Sequence, residues 1–153
     1  MTRPQYLHTQ PGWPMRLSFA AAAIGMIVLS ALPMPGASRA TSWALLAGAA
    51  AALAVGWSFS SLTVRVDADE LALRFGFGWP RKAVPLADIA TVEVTRTKFW
   101  EGWGVHRTRR GWLYNVGGYD AVLLHRGDGT ALLVGSDEAP RRKAAIERAR
   151  GHR

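Results

Sequence analysis

The sequence predicts an α+β membrane protein: a two-helix transmembrane hairpin followed by a mainly antiparallel β-domain that ends in a helix. Three observations carry this. Residues 17–62 hold a single charge, Arg39, close to Pro33, Pro35 and Gly36, so the stretch divides into two apolar arms, 17–34 and 43–62. From residue 62 onward the apolar residues recur with a period of two, as half-buried strands require. The tail from Asp137 then changes to a helical pattern, with Pro140 in its first turn.

At about 1.5 Å rise per residue, arms of this length come close to a hydrocarbon core of about 30 Å. Ahead of them, residues 1–16 are polar and rich in Pro and Gln, and little fixed structure is expected. Trp13 and Trp57 flank the arms, where an amphipathic ring suits a membrane interface. Gly48, Ala52 and Gly56, spaced four apart, permit close helix approach, with the Ala-rich first arm as partner. Two other readings of the apolar stretch exist. A buried soluble hairpin is hard to accommodate in 153 residues. A signal peptide is imitated by Arg16, the apolar run and Ser38-Arg39-Ala40, but the length of the run and Arg39 oppose it.

Charge is distributed unevenly. The chain carries a formal +8, all eleven acidic residues lie at or beyond Asp67, and Arg3, Arg16 and Arg39 are the cations before Leu62. Arg3 and Arg16 flank one end of the hairpin, and Arg65, Arg74, Arg81 and Lys82 follow the other. The positive-inside bias therefore places both termini in the cytoplasm. The absence of cysteine excludes disulfides, thiolate metal sites and a Cys nucleophile.

Downstream, Leu62, Val64 and Val66 alternate with Thr63, Arg65 and Asp67. After the turn Asp67-Ala-Asp-Glu70, Leu71, Leu73 and Phe75 alternate with Ala72 and Arg74, which makes a hairpin with one apolar face. The stretch from Phe75 to Pro80 ends it as a glycine-rich turn. A short extended piece from Ala83 to Leu86 carries Pro85, which suits a sheet edge. A strand from Ile89 to Arg96 has Ala90, Val92 and Val94 on one side. Residues 98–114 read as an aromatic, basic loop. Tyr119–His125 and Thr130–Val134 form a hairpin across Arg126-Gly-Asp-Gly129. In the tail, Asp137 is the expected helix cap. The apolar face there is thin, with Ala144, Ala145, Ile146 and Ala149, while Arg141, Arg142, Lys143, Arg148 and Arg150 form a solvated or lipid-facing side.

Three stretches, LTVRVDADELALRF at 62–75, VPLADIATVEV at 84–94 and DGTALLVGSD at 128–137, followed by one helix, resemble small bacterial membrane proteins with two N-terminal transmembrane helices and a C-terminal pleckstrin-homology-like domain. The resemblance implies that residues 63–153 form a partly open barrel of two packed sheets plugged by the helix, and that such a barrel binds rather than catalyses. Phosphoinositide-binding relatives of that wider group present basic residues on the first hairpin. The acidic Asp67-Ala-Asp-Glu70 turn argues against that type of headgroup binding.

The search for chemistry is short. Ser136 is the one serine beyond Ser61 and lies where the last helix starts. His8, His106, His125 and His152 have no partner at metal-ligand spacing. No phosphate loop, zinc motif or hydrolase elbow is found, and Gly76-x-Gly78 precedes no helix. No catalytic, cofactor-binding or metal-binding residue is expected. The candidate contact residues are Lys98, Phe99, Trp100, Trp103, Arg107, Arg109, Arg110 and Trp112. Tryptophans sit at headgroup level and arginines pair with anionic lipid, so a membrane-facing loop is one reading. Exposed Trp and Arg also anchor protein partners. Alternatively the aromatics fold back over the barrel and the arginines are merely solvated. Single-strand binders mix the same residue types, but a membrane tether sets nucleic acid aside. The functional expectation is a non-catalytic binding or scaffolding module at the cytoplasmic face of a bacterial inner membrane, touching anionic lipid. Its alternative is a protein-binding subunit of a larger membrane complex.

Overall fold

The computed structural model describes residues 4–33 and 35–151. Arg3, used above for orientation, His152, and Met34 at the end of the first arm lie outside the described residues. The chain forms strand β1 (Tyr6–Pro11), helices α1 (Trp13–Ala31) and α2 (Arg39–Ser58), eight further strands, and a last helix, α3 (Ala139–Gly151). The strands are β2 (Ser61–Val66), β3 (Glu70–Phe75), β4 (Arg81–Pro85), β5 (Ile89–Arg96), β6 (Gly104–Thr108), β7 (Gly111–Asn115), β8 (Asp120–Arg126) and β9 (Ala131–Gly135). They make two sheets, one in the order β1-β2-β3-β4 and one in the order β5-β8-β9-β7-β6. All pairings are antiparallel except that of β7 with β9.

The N-terminal segment corrects the expectation of a flexible leader. Its residues 6–11 are strand β1, paired in register from Tyr6↔Val66 to Pro11↔Ser61. The inward positions are Tyr6, His8 and Gln10, which are polar, so hydropathy carries no strand signal. Each finds a specific partner instead. The Tyr6 hydroxyl donates to Glu138 at 2.7 Å, a His8 ring nitrogen lies 2.7 Å from Asp137, and the Gln10 amide donates to the Gly117 carbonyl at 2.8 Å.

Both helices therefore lie inside the connection between two neighbouring strands. Where the chain leaves β1, a Cβ on Gly12 would stand 2.6 Å from the Phe59 carbonyl oxygen and 3.0 Å from Val116. Only glycine permits the approach of the two helix bases there. Helix α1 begins at Trp13 with a proline in its first turn and stops at Ala31, because Leu32 precedes Pro33 and takes extended backbone. Helix α2 begins at Arg39, four residues before the expected start, because Ser38 and Thr41 form a capping box. Arg39 is thus a helical residue and not part of the turn. Helix α2 also ends before Leu62, which belongs to β2. The two helices meet through small residues: Ala23, Ala49 and Gly56 are buried, with Gly56 against Phe19 and Gly48 against Met26. The expected pairing of the small stripe with the first arm is what the structure shows. The outward faces stay bare, and only 6% and 11% of their apolar windows are covered.

The core lies between the sheets and under α3. Leu62, Val64, Leu73 and Phe75 from one sheet meet Val92, Val122, Leu124 and Val134 from the other, with Ile146 and Ala149 of α3. The first hairpin and the β8–β9 hairpin form across the expected turns, and Pro85 lies on edge strand β4. In β5 an irregularity between Ile89 and Thr91 takes Ala90 out of the inner face. Ile89 fills the core in its place, and Val94 is half-exposed on the sheet edge. Asp137 does not cap α3; the Ser136 hydroxyl accepts from the Glu138 amide, while Asp137 faces His8. Arg142, expected on the solvated side, is fully buried. Its guanidinium donates to the Gly135 carbonyl at 2.5 Å and to the Tyr6 hydroxyl at 3.4 Å.

Candidate functional site

Residues 98–114 are not a loop. A single 3-10 turn, Phe99–Glu101, leads into the β6–β7 hairpin. The hairpin has no clean apolar alternation because β7 is covered on both sides. Tyr114 packs on the main core, whereas Leu113 packs with Leu123 and Leu133 in a second cluster. Strands buried on both faces lose the period-two signal.

One ion pair organises the turn. A Glu101 carboxylate oxygen accepts from the Lys98 amide at 2.6 Å and from the Arg110 guanidinium at 2.9 Å. Arg110 also donates to the Thr95 hydroxyl and the Arg96 carbonyl, each at 3.0 Å. Burial pushes the Glu101 carboxyl up, but the Lys98 amide and the Arg110 guanidinium outweigh it and hold the group below its ordinary range. Arg110 is therefore a structural clasp between β5 and the β6–β7 turn, not a free cation. Lys98 lies over the Trp100 ring, 5.2 Å from its centroid, a cation–π contact.

The cleft that results has a volume of about 640 Å³ and is lined by Lys98, Trp100, Glu101, His106, Arg107, Thr108, Arg109 and Arg110. Five of the eight predicted contact residues thus converge. Phe99 and Trp100 are 80% and 77% exposed beside it. Trp103 stands just before β6, its indole N–H donating to the Gly118 carbonyl at 3.3 Å. Trp112 is separate and lines another groove with Lys82, Tyr114 and Arg126. Among the described residues Arg107 and Arg109 have no ion-pair partner, and no group of three His, Asp or Glu side chains is placed to hold a metal ion.

Topology decides where this cleft sits. Along β1 toward the helices, His8 meets Asp137, just after β9, and Gln10 then meets Gly117, just after β7. Strand β7 continues across the ends of the first sheet: Tyr114 contacts Phe75 of β3, and Trp112 shares a groove with Lys82 of β4. Strand β6, next to β7 and at the sheet edge, is then the edge nearest the helices. Proximity confirms this, because Gly117, next to the carbonyl that holds Trp103, packs against Pro14 in the first turn of α1. Trp103 therefore lies close to the base of α1, at the end of the domain from which α1 and α2 emerge.

A second group stands at that same end, in the stretch that the sequence presents as a glycine-rich turn. Phe77 and Trp79, on the β3–β4 turn, are each 71% exposed. The signal available in the sequence was two large aromatics at the tip of a glycine-rich turn, where no packing demand accounts for them. Comparison with known proteins finds no family model that matches this chain and no curated protein that matches it.

Proposed function

We propose that the protein is a two-span integral protein of a bacterial inner membrane, with both termini in the cytoplasm. Its β-domain serves there as a non-catalytic binding or scaffolding module that touches anionic lipid. The observation that carries this reading is the insertion of two apolar helices with bare outer faces between the paired strands β1 and β2. Residues such as Ile24, Val28, Leu29 and Leu53 are about half-exposed or more, and a bilayer supplies the burial that the protein does not. Because Pro11 and Ser61 are register partners, a hairpin that crosses and returns leaves both strands on one side. The charge bias selects the cytoplasmic side. Two sheets with a C-terminal helix over the core support kinship with pleckstrin-homology-like barrels, and β1, contributed from ahead of the helices, is an addition to the pattern expected from 63–153.

Strand β6 and its flanking turns then lie at headgroup level. There Lys98, Arg107 and Arg109 meet lipid phosphates, while Phe99, Trp100 and Trp103 occupy the interface. Each basic residue contributes about 1 kcal/mol near an anionic surface. The test uses the full chain in nanodiscs of phosphatidylcholine containing a minor share of brominated phosphatidylglycerol. Tryptophan quenching beyond the value expected for random mixing reports enrichment. Arg107→Gln/Arg109→Gln should remove about 2 kcal/mol of that preference. Recovery of the full chain in the soluble fraction without detergent refutes the anchor, and equal quenching by brominated phosphatidylcholine refutes the lipid contact. The alternative, a subunit of a larger membrane complex, draws on the unpaired edge of β6. It predicts co-purification of a partner that is lost in Trp103→Ala.

A further inference from the structure

The turn carrying Phe77 and Trp79 is held firmly. The Gly76 amide donates to the Ser61 carbonyl at 3.0 Å and the Gly78 amide to the Phe75 carbonyl at 2.5 Å. Gly76 itself presses on the last turn of α2, where a Cβ would fall on the Trp57 and Ser58 carbonyls. Phe77 stacks on Trp57 with ring centroids 6.0 Å apart, and Trp57 is itself largely exposed. Three large aromatics thus form one ledge at the base of α2, turned toward solvent.

Next to this ledge lies an unusual charge arrangement. Arg74 and Arg81 are direct cross-strand partners in β3 and β4, and Lys82 follows Arg81 on the opposite face of β4, in the groove with Trp112. All three are exposed. Like charges directly opposite one another are unfavourable, and here no carboxylate relieves them: among the described residues none of the three has an ion-pair partner. Several arginines elsewhere on the domain do have carboxylate partners. Arg65 pairs with Asp67, Arg96 with Asp120, Arg126 with Asp88 and Asp128, and Arg141 with Glu138. The unpaired Arg74 and Arg81 lie beside the turn that presses on the base of α2.

Their height is also informative. The register aligns Thr9, Thr63, Arg74 and Arg81 in one row across the sheet. That row is two residues from the Pro11–Ser61 pair, about 7 Å at strand spacing. A bilayer's polar zone extends about 5–7 Å beyond its hydrocarbon core on each side. The ledge then falls at the acyl boundary and the arginine pair among the phosphates.

We propose that Arg74 and Arg81, above the Trp57–Phe77–Trp79 ledge, form a second seat for the bilayer, whose anionic phospholipid headgroups fill the gap between the two arginines. This rests on the membrane reading above and adds to it. The first seat is on β6 of the five-stranded sheet and this one is on the outer face of the four-stranded sheet. The domain is therefore gripped on two sides of the helical pair and held in one orientation instead of swinging on it.

The test uses the full chain in the same nanodiscs. The protein has no cysteine, so Trp79→Cys and Glu70→Cys each accept one environment-sensitive fluorophore. A probe at 79 should emit to the blue and be quenched by lipids labelled at the top of the acyl chain. A probe at 70, at the opposite end of β3, should report water. Arg74→Gln/Arg81→Gln should lower phosphatidylglycerol enrichment about fivefold per residue removed, with circular dichroism unchanged. The loss should add to that of Arg107→Gln/Arg109→Gln. A water-exposed probe at 79 overturns the second seat. So does full enrichment in Arg74→Gln/Arg81→Gln alongside its disappearance in Arg107→Gln/Arg109→Gln, which leaves the first seat standing. No enrichment in the unsubstituted protein overturns both.

Discussion

The N-terminal strand offers the sharpest test, because a flexible leader and a structural strand predict opposite results. The perturbation is Tyr6→Phe, which removes one oxygen. The ring is 7% exposed, and the hydroxyl donates to the Glu138 carboxylate at 2.7 Å while accepting from buried Arg142 at 3.4 Å. A hydrogen bond to a charged group contributes about 1.5–3 kcal/mol, and Glu138 keeps some water, so a loss of about 2 kcal/mol is expected. Denaturant titration of the full chain in detergent micelles measures it as a shift in midpoint at constant slope. The pH dependence adds a second check. Burial pushes the Glu138 carboxyl up, but the Tyr6 hydroxyl, the nearby His8 and Arg141 prevail and hold it low. A lowered carboxyl contributes stability that is complete above its unfolded value of about 4.3 and is lost as pH falls through the folded value. The Tyr6→Phe deficit should accordingly be constant near neutrality and shrink in acid. On the alkaline side, burial pushes Tyr6 itself up to about 12. Its contribution is present below the unfolded value of about 10 and is lost as pH rises toward the folded one; Tyr6→Phe removes that loss. A deficit under about 0.3 kcal/mol, within the scatter of inert surface changes and flat with pH, would show that β1 does not pack on α3.

Three further outcomes follow from the geometry. In Gly135→Ala the new methyl lands on the Asn115 side chain, which is wholly buried and holds the Gly117 amide; a loss of about 2–3 kcal/mol is expected in the same titration. Gly56→Leu should splay the helical pair, because Gly56 touches Phe19; spin-label distances between α1 and α2 should lengthen, and adding Phe19→Ala should restore most of the spacing. The Lys98 amide resonance should titrate with Glu101, at a midpoint below the ordinary glutamate value because that carboxyl is held low. The clasp is thus intact above that range and opens as pH falls through the folded value, whereas Glu101→Gln should abolish the titration.

The site was half legible. Lys98, Trp100, Arg107, Arg109 and Arg110 could be collected from sequence because they lie within thirteen residues of one another, and proximity in the chain survives a hairpin. Their roles could not. Arg110 and Arg109 are neighbours of identical type, yet one is bound by Glu101, Thr95 and Arg96 while the other is free. Only the fold brings those acceptors to one and not the other. Phe77, Trp79, Arg74 and Arg81 escaped because their significance is positional: in sequence they are a turn and two surface arginines. Strand β1 escaped because its inward residues satisfy polar partners more than a hundred positions away, which leaves no local pattern.

By itself the amino-acid order determined what short-range physics controls. It set the two apolar helices, the proline break between them, the hairpins with one greasy face, and the final helix. Each follows from the periodicity of neighbouring residues and the backbone limits of Pro and Gly. Tertiary structure alone decided that β1 and β2 embrace the helical pair, that Arg142 is swallowed while Arg107 is not, and that Trp103 and the β3–β4 turn, from distant segments, share the helix end of the domain. Those outcomes depend on which strand edges meet across long loops, a choice made by the packing of the whole core.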